Sequence, residues 1–230
     1  MPNVTGVIGI SAAMDLARYS LFYDSMFHIK TPPGTSIIHA RGGNIAINRN
    51  SITQQALDVG AEWIWFVDDD HVFQPDTLNH LLARDVDVVS GLYVQKQFPF
   101  IPHAYDAPED KETGTVTSQY LRPSESGMQH RLAVGAGCFL AKTKVFKALE
   151  PPYWRLGQLA KEQLSEDIEL CRRIREKGFD IWCDYDVPIG HLFVSELWPI
   201  KEPGGNWDTG LIHQKEVIML WPAIGRDVQP

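Results

Sequence analysis

The chain is poor in cysteine: Cys138, Cys171 and Cys183 are the only thiols in 230 residues, and no two of them form a CxxC pair. That argues against a disulfide framework or a structural zinc site, and for a reducing compartment. Long apolar runs are also missing, since none approaches the about 20 residues that a bilayer-spanning helix needs. The N-terminus lacks the basic flank and cleavage-site pattern of a signal peptide. No G-x-G-x-x-G or P-loop follows a strand candidate, which weakens dinucleotide and NTPase readings. No G-x-S-x-G supports a hydrolase elbow. Basic charge is in deficit, and the net charge of −8 argues against a chain that grips nucleic acid by general electrostatics, though a local basic groove stays open. There is no internal repeat and no low-complexity segment.

What is present is ordinary for a soluble globular protein: 44% hydrophobic and 22% charged residues, in a length that suits one large domain or two small ones. The stretch that organises it is Trp63-Ile64-Trp65-Phe66-Val67-Asp68-Asp69-Asp70-His71. Five unbroken apolar residues read as a short strand buried on both faces. Three adjacent carboxylates cannot share that core, because unpaired buried charge is too costly. The strand therefore ends where the acids begin, at the sheet edge where open α/β sheets bind ligands. Carboxylates at Asp68 and Asp70 suit a hard divalent cation; an acidic strand-to-helix turn would show the same residues.

Around this stretch, strands are expected at Val4 to Ile10, Ser36 to His39 and Val86 to Val89. They alternate with helices that begin at Ser11 (with Met14, Ala17, Leu21 and Met26 on one face), at Ile45 after an Asn44 cap (with Ile45, Ile52, Ala56 and Val59 buried), and at Pro75. That alternation indicates an α/β domain with a mostly parallel sheet. Residues 97–130, rich in Pro and Gly, read as an irregular insertion with a hairpin near Gly114 to Tyr120. Strand character returns over Arg131 to Ala141, Phe179 to Cys183 and Val187 to Ile189. The clearest helix runs from a Ser165 cap to Lys177, with Ile168, Cys171 and Ile174 buried and Glu169 paired with Arg173. The last forty residues show turn signals and little periodicity.

Three features could carry chemistry: the acid triplet, Glu166-Asp167 at the start of the clearest helix, and His191 after Gly190. Each has a plain alternative. Acids in a first helical turn suit the helix dipole, a lone His is commonly a hydrogen-bonded structural residue, and an arginine placed like Arg49 is usually a solvated helix charge.

Together they form a more specific set. The triplet Asp68-Asp69-Asp70, the Arg49-Asn50 helix before it, Ser90-Gly91-Leu92-Tyr93, Val134-Gly135-Ala136-Gly137-Cys138-Phe139-Leu140, Ser165-Glu166-Asp167-Ile168-Glu169-Leu170-Cys171-Arg172-Arg173 and the Asp184 to His191 stretch resemble a GT-A glycosyltransferase, nearest to glycosyltransferase family 2. The resemblance runs from about Val4 to His191. It implies an α/β GT-A fold, a Rossmann-like nucleotide-binding half with a mixed, mostly parallel central sheet flanked by helices. One domain over 1–230 is expected: residues 1–96 for the nucleotide sugar, 97–191 for the acceptor, and 192–230 as a C-terminal extension.

The same resemblance implies a metal-dependent transfer of sugar from a nucleotide-diphosphate sugar, UDP-sugar favoured, to a hydroxyl of a glycan, protein, small molecule or modified DNA base. Mn2+ or Mg2+ would be held by Asp68, Asp70 and His191. Ser11, Arg49, Asp68 and Asp69 would contact the donor. Asp167 would be the general base of an inverting reaction, with Glu166 beside it, and Gly135, Gly137 and Trp154 would receive the acceptor, although Trp154 reads equally as core. The first strand departs from the family pattern, because only Asp15 is offered as a nucleotide-contacting acid. The short chain without membrane helices favours a single-transfer, cytoplasmic enzyme, in the host cytoplasm if viral. Two alternatives accompany this reading: a phage-type glycosyltransferase acting on a hydroxylated pyrimidine in DNA, which the acidic charge disfavours, and a non-catalytic nucleotide-sugar or carbohydrate-binding module.

Overall fold

The computed structural model describes residues 4–11, 20–96, 100–106, 117–118, 126–159, 162–193, 196–201, 207–213 and 216–219. They fall into two compact units. One comprises residues 1–95 and 101–192, the other 96–100 and 193–230. No helix among the described residues is long and apolar enough to cross a membrane.

The first unit opens with strand β1 (Gly6–Ser11), helix α1 (Ser20–His28), β2 (Thr35–Ala40), α2 (Ile45–Asp58), β3 (Trp63–Asp68), the two-residue β4 (His71–Val72), α3 (Thr77–Ala83) and β5 (Val88–Leu92). Next come β6 (Ala104–Asp106), β7 (Thr117–Ser118), β8 (Met128–Arg131), β9 (Ala133–Val134), β10 (Cys138–Lys142), α4 (Thr143–Lys147), β11 (Gly157–Leu159), β12 (Glu162–Leu164), α5 (Glu166–Glu176), β13 (Ile181–Pro188) and β14 (Gly190–His191). The second unit holds β15 (Glu196–Lys201), β16 (Trp207–His213) and β17 (Glu216–Met219), an antiparallel sheet in that order. The extension lacks periodicity in its sequence because short strands alternate only over a few residues each.

Seven strands form the main sheet in the order β2-β1-β3-β10-β5-β13-β8. β1 pairs in parallel with β2 and β3, and β5 with β13, while β10 runs antiparallel between β3 and β5, and β8 antiparallel to β13. β3 is buried along all five apolar residues and reaches partial exposure only at Asp68. Its side chains alternate between two cores: Ile64 and Phe66 join one, Trp63, Trp65 and Val67 the other. This is what a strand covered on both faces requires. Because β1, β2, β3, β5 and β13 share a direction, their C-terminal ends lie along one edge of the sheet. Ser11 stands in register with Asp68, and the Asp68 N–H donates to the Gly137 carbonyl (3.2 Å) where β10 enters.

Several boundaries and faces differ from the sequence reading. Ser11 closes β1 instead of opening a helix, and Met14, Asp15 and Ala17 lie outside the described residues. In α1 the buried residues are Phe22 and Ser25, and Leu21 is exposed. In α2 the Asn44 cap accepts from the Ile47 N–H at 2.9 Å, and Gly60 follows the helix at φ 73°. However, Ile45 and Val59 are exposed, and the buried face is Asn48, Arg49, Ile52, Thr53 and Ala56. Each inward polar side chain has a partner: Asn48 bonds the Gly43 backbone, Arg49 bonds Asp68 and Glu166, and Thr53 donates to the Arg49 carbonyl and accepts from Trp154 Nε1–H. The hairpin expected near Gly114 to Tyr120 falls largely outside the described residues, and Thr117–Ser118 pairs with β6. The stretch Arg131 to Ala141 is divided among β8, β9 and β10, in two different sheets. The two short strands expected after Phe179 are one strand, β13, whose register with β5 shifts between Asp184 and Pro188. In α5, Glu169 does not pair with Arg173; it is held by Arg172 and Arg155, while Arg173 donates to the carbonyls of Glu150, Pro152 and Tyr153.

Candidate active site

The chain leaves β3 at Asp68, turns through Asp69 and Asp70, and enters β4 at His71. β4 pairs antiparallel with β14, which sets His71 directly opposite His191. The Leu192 N–H donates to the Asp70 carbonyl at 2.7 Å and extends the link. The two imidazoles stack with centroids 4.3 Å apart. The ligand atoms of Asp70, His71 and His191 all lie within 4.8 Å of one another.

The donor chemistry fits a divalent metal. His191 Nδ1–H donates to the Val94 carbonyl (2.7 Å), which leaves Nε2 with its lone pair, 3.8 Å from Asp70 Oδ1. Fixing one imidazole nitrogen on a carbonyl is how metal-binding histidines are commonly oriented. His71 is buried. Its Nδ1 comes to 2.8 Å from Asp70 Oδ1, but neither of its ring nitrogens completes a hydrogen bond of proper geometry. Burial lowers its pKa, against the pull of Asp70 and Asp68, which favours the neutral ring that metal ligation requires. Tyr93 packs edge-on against both rings, at 4.7 and 5.6 Å.

Asp68 is tied to Arg49 and is not among the side chains that meet at the histidine pair, although it lines the cavity described below. Arg49, 2% exposed, donates through Nη2 to both oxygens of Asp68 (2.9 Å each) and through Nη1 to Glu166 Oε1 (2.5 Å). Its guanidinium also lies over the Trp154 ring, 5.0 Å from the centroid. Burial by itself would lower the Arg49 pKa, but the carboxylates of Asp68, Glu166 and Asp167 hold it above its ordinary value. Burial raises the pKa of Glu166, with Arg49 opposing and Asp167 adding to it. Arg49 is therefore an internal strut between β3 and the start of α5. The expected direct donor contact by Arg49 is corrected accordingly, because both of its terminal nitrogens are engaged inside the protein.

Asp167 stands at the start of α5. Its Oδ1 accepts from Ser165 Oγ and from the Ile168 N–H (2.9 Å). The cap at Ser165 thus works through Asp167 and makes no side-chain bond to the helix itself.

A cavity of about 320 Å3 opens beside the acid turn, lined by Ser11, Gly43, Asn44, Ile45, Asn48, Asp68, Asp69 and Asp70. Ser11 is 2% exposed, and its Oγ has no hydrogen-bond partner among the described residues. The structure thus brings Ser11, Asp68, Asp69 and Asp70 to one cavity, with the N-terminus of α2 on its far wall.

The expected acceptor residues are corrected. Trp154 is 1% exposed, packed edge-on against Phe66 and Phe139, with Nε1–H donating to Thr53 Oγ1 at 3.0 Å. It is core. Gly135 and Gly137 are buried. A Cβ at Gly135 would lie 2.2 Å from Tyr93 Oη, and one at Gly137 would lie 2.4 Å from His71 Cε1. These glycines admit the protein's own rings where the sequence reading placed an acceptor.

Two residues beside the site were given no role in the sequence reading. His71 directly follows the triplet, and the signal for it was its place one residue after Asp70. His103 lies within the irregular insertion, where no periodicity marks it; its ring centroid is 5.0 Å from Tyr93 and 6.3 Å from His191.

A family model described as glycosyltransferase like family 2 matches residues 35–202. No curated protein matches the chain. Among solved structures, the chain is similar to A197 from STIV, with a TM-score of 0.57 and 16% identity over 88% of this chain and 92% of that one. It is also similar to GalNAc-T7, crystallised with UDP, GalNAc and Mn2+, with a TM-score of 0.56 and 12% identity over 83% of this chain and 44% of that one. At these identities the likeness is one of fold.

Proposed function

The chain belongs to glycosyltransferase-like family 2 and has the GT-A fold, and from that premise we propose that it is a metal-dependent enzyme moving a sugar from a nucleoside-diphosphate sugar, a UDP-sugar in the first instance, to a hydroxyl acceptor with inversion. The observation that carries the reading is the meeting of Asp70, His71 and His191 with the Ser11–Asn44–Asp69 cavity at the C-terminal edge of the sheet. One carboxylate and two imidazoles would hold the cation, a set better matched to Mn2+ than to the all-oxygen preference of Mg2+. When bound, that cation supplies positive charge against the diphosphate leaving group.

The protein's own groups divide the rest. The cavity takes the nucleotide, with Ser11 Oγ as a ready hydrogen-bond partner. Asp167 uses Oδ1 to hold Ser165 and the Ile168 N–H, which fixes the carboxylate plane and leaves Oδ2 for the acceptor proton. The acceptor oxygen forms a bond to the anomeric carbon as the bond from that carbon to the diphosphate breaks, and its proton passes to Asp167. Glu166, tied to Arg49, orients the start of α5 and is not itself placed in the proton transfer.

The test is thermal stability of the purified protein with UDP, GDP and their sugars, each with and without Mn2+. A ligand that binds only the folded state raises the melting temperature by mass action. A shift that requires both a nucleotide and Mn2+ is expected. A folded protein that no nucleotide stabilises would overturn the reading.

A further inference from the structure

Trp154, Gly135 and Gly137 are enclosed among the protein's own rings, so an acceptor needs another surface. A second cavity, of about 400 Å3, is lined among the described residues by Leu156, Gly157, Gln158 and Gln163. All four belong to the segment between Trp154 and α5 that carries the β11–β12 hairpin. In that ladder Gly157 stands opposite Leu164, and Gln158 opposite Gln163. Leu164 is buried, and a Cβ at Gly157 would come within 2.9 Å of Glu169 Cβ and Cδ. That pair therefore faces α5. Side chains alternate along a strand, so the next pair, Gln158 and Gln163, faces away from α5. Both glutamines are exposed. Residues directly opposite in an antiparallel ladder have Cβ atoms about 4.5–5.5 Å apart, which sets the two carboxamides side by side.

The hairpin is anchored at both ends. Before it, Asn50 accepts from the Trp154 N–H at 3.0 Å and donates to the Trp154 carbonyl at 2.6 Å. Arg155 donates to Glu169 Oε1 from Nε and Nη2, at 3.3 Å each. After it, Leu164 leads to Ser165, whose Oγ donates to Asp167 Oδ1. Four residues span at most about 14 Å, so the Gln163 backbone lies within that reach of Asp167. The bare Cα of Gly157 lets the hairpin lie directly on Glu169, about one turn into α5 from Glu166.

The described lining is uncharged. A carboxamide offers one carbonyl acceptor and two N–H donors, and a pair of them presents both senses at once. Adjacent hydroxyls of a sugar also donate and accept, so they match that pair group for group. Leu156, 60% exposed, adds an apolar contact for the carbon face of a ring. An anionic acceptor would find no cation on this lining to offset the desolvation of its charge. We propose that the β11–β12 hairpin is an acceptor subsite for neutral carbohydrate, in which Gln158 and Gln163 bind hydroxyls of the acceptor whose reacting oxygen reaches Asp167. The inference rests on the glycosyltransferase reading and narrows its acceptor from any hydroxyl compound to a neutral glycan or glycoside.

The experiment uses the full chain and four variants: Gln158→Ala, Gln163→Ala, the two combined, and Gln163→Glu, which keeps the size but loses both N–H donors and adds a charge. Stabilisation by UDP with Mn2+ is read first. Release of UDP from UDP-glucose, UDP-galactose and UDP-N-acetylglucosamine follows, with water alone, with neutral alkyl and aryl glycosides and disaccharides, with the matching glucuronides, and with single-stranded DNA carrying hydroxymethylated pyrimidines. Every variant should keep the UDP–Mn2+ stabilisation. The ratio of transfer to neutral glycosides over hydrolysis should fall about 5-fold in each alanine variant, the net worth of about one hydrogen bond, and further in the double variant. The loss should be carried by KM and not by kcat. Gln163→Glu should lose at least as much as Gln163→Ala. An unchanged ratio in the double variant would overturn the proposal. So would hydrolysis falling in step with transfer, a preference for glucuronides or DNA over neutral glycosides, or failure of every neutral glycoside to speed UDP release beyond that with water. A wild type that UDP and Mn2+ do not stabilise would overturn the glycosyltransferase reading and this proposal with it.

Discussion

His71 and His191 face each other across the two-residue ladder of β4 and β14, their ring planes inclined by only 19°. They are 120 residues apart in sequence, and backbone hydrogen bonds determine their spacing. Side chains carried on a ladder are held more firmly than those on a loop, and Asp70 is tied to the same ladder by the Leu192 N–H on its carbonyl.

Removing any one of the three side chains should therefore abolish the effect of Mn2+ on UDP binding. With ligand at a hundred times its Kd, the wild type gains about 2.7 kcal/mol. His71→Ala, Asp70→Ala and His191→Ala should each lose the Mn2+-dependent part of that gain. Thermal melts with UDP, with and without Mn2+, check this. If His71→Ala retained the full gain, His71 would be a packing residue only.

Arg49 should matter for stability before it matters for chemistry. Its guanidinium joins Asp68 to Glu166 in a site where Arg49 is 2% exposed. Removing one partner of a buried ion pair strands the other charge, at a cost of about 3–5 kcal/mol. Arg49→Met is expected to lose that much in urea unfolding. Arg49→Lys should recover only part of it, because one ammonium nitrogen cannot span Asp68 and Glu166 as Nη2 and Nη1 do.

Asp167→Asn separates binding from transfer. The amide keeps the shape and can still accept from the Ile168 N–H, so stabilisation by UDP with Mn2+ should persist. Sugar transfer should drop by about 10²–10⁴-fold, the usual contribution of a general base. Product analysis of the wild type checks the stereochemistry; an anomeric configuration retained in the product would remove the need for that base.

Acid sensitivity should arise from Glu169. Burial would raise its pKa, but Arg172 and Arg155 outweigh it and hold the carboxyl below its ordinary value of 4.5. A carboxyl depressed in the folded state contributes stability that is fully present above the unfolded value and is lost as the pH falls through the folded one. Stability should thus decline below about pH 4.5, and Glu169→Gln should flatten that decline as well as lower stability at neutral pH. Urea midpoints across pH measure both effects.

The alternation of elements and the place of the acid triplet were legible in the sequence, because both follow from local rules. An unbroken apolar run such as Trp63 to Val67 must be covered on both faces, and carboxylates cannot follow it inside. Asn44 as a cap follows from the same kind of rule, since the first amides of a helix need an acceptor close by in the chain. Within residues 97–130 and the last forty, the described strands carry no unbroken apolar run like that of β3, so no local pattern marks them.

Which residues meet was decided by the tertiary structure alone. The helical pattern turns Val59 inward and Arg49 outward, the reverse of what the structure has; only the carboxylates waiting at Asp68 and Glu166 make the buried position favourable for the arginine. Gly135 and Gly137 announce a close approach in the sequence, but the rings that approach them, Tyr93 just past β5 and His71 in β4, come from distant segments. Trp154 carries the same indole whether it faces a sugar or a core, and the ring faces of Phe66 and Phe139 settle it. Sequence prescribes what each short segment needs for its own backbone and burial. The partners that satisfy a charge, a ring or a lone pair lie across the sheet, and only the fold brings them within reach.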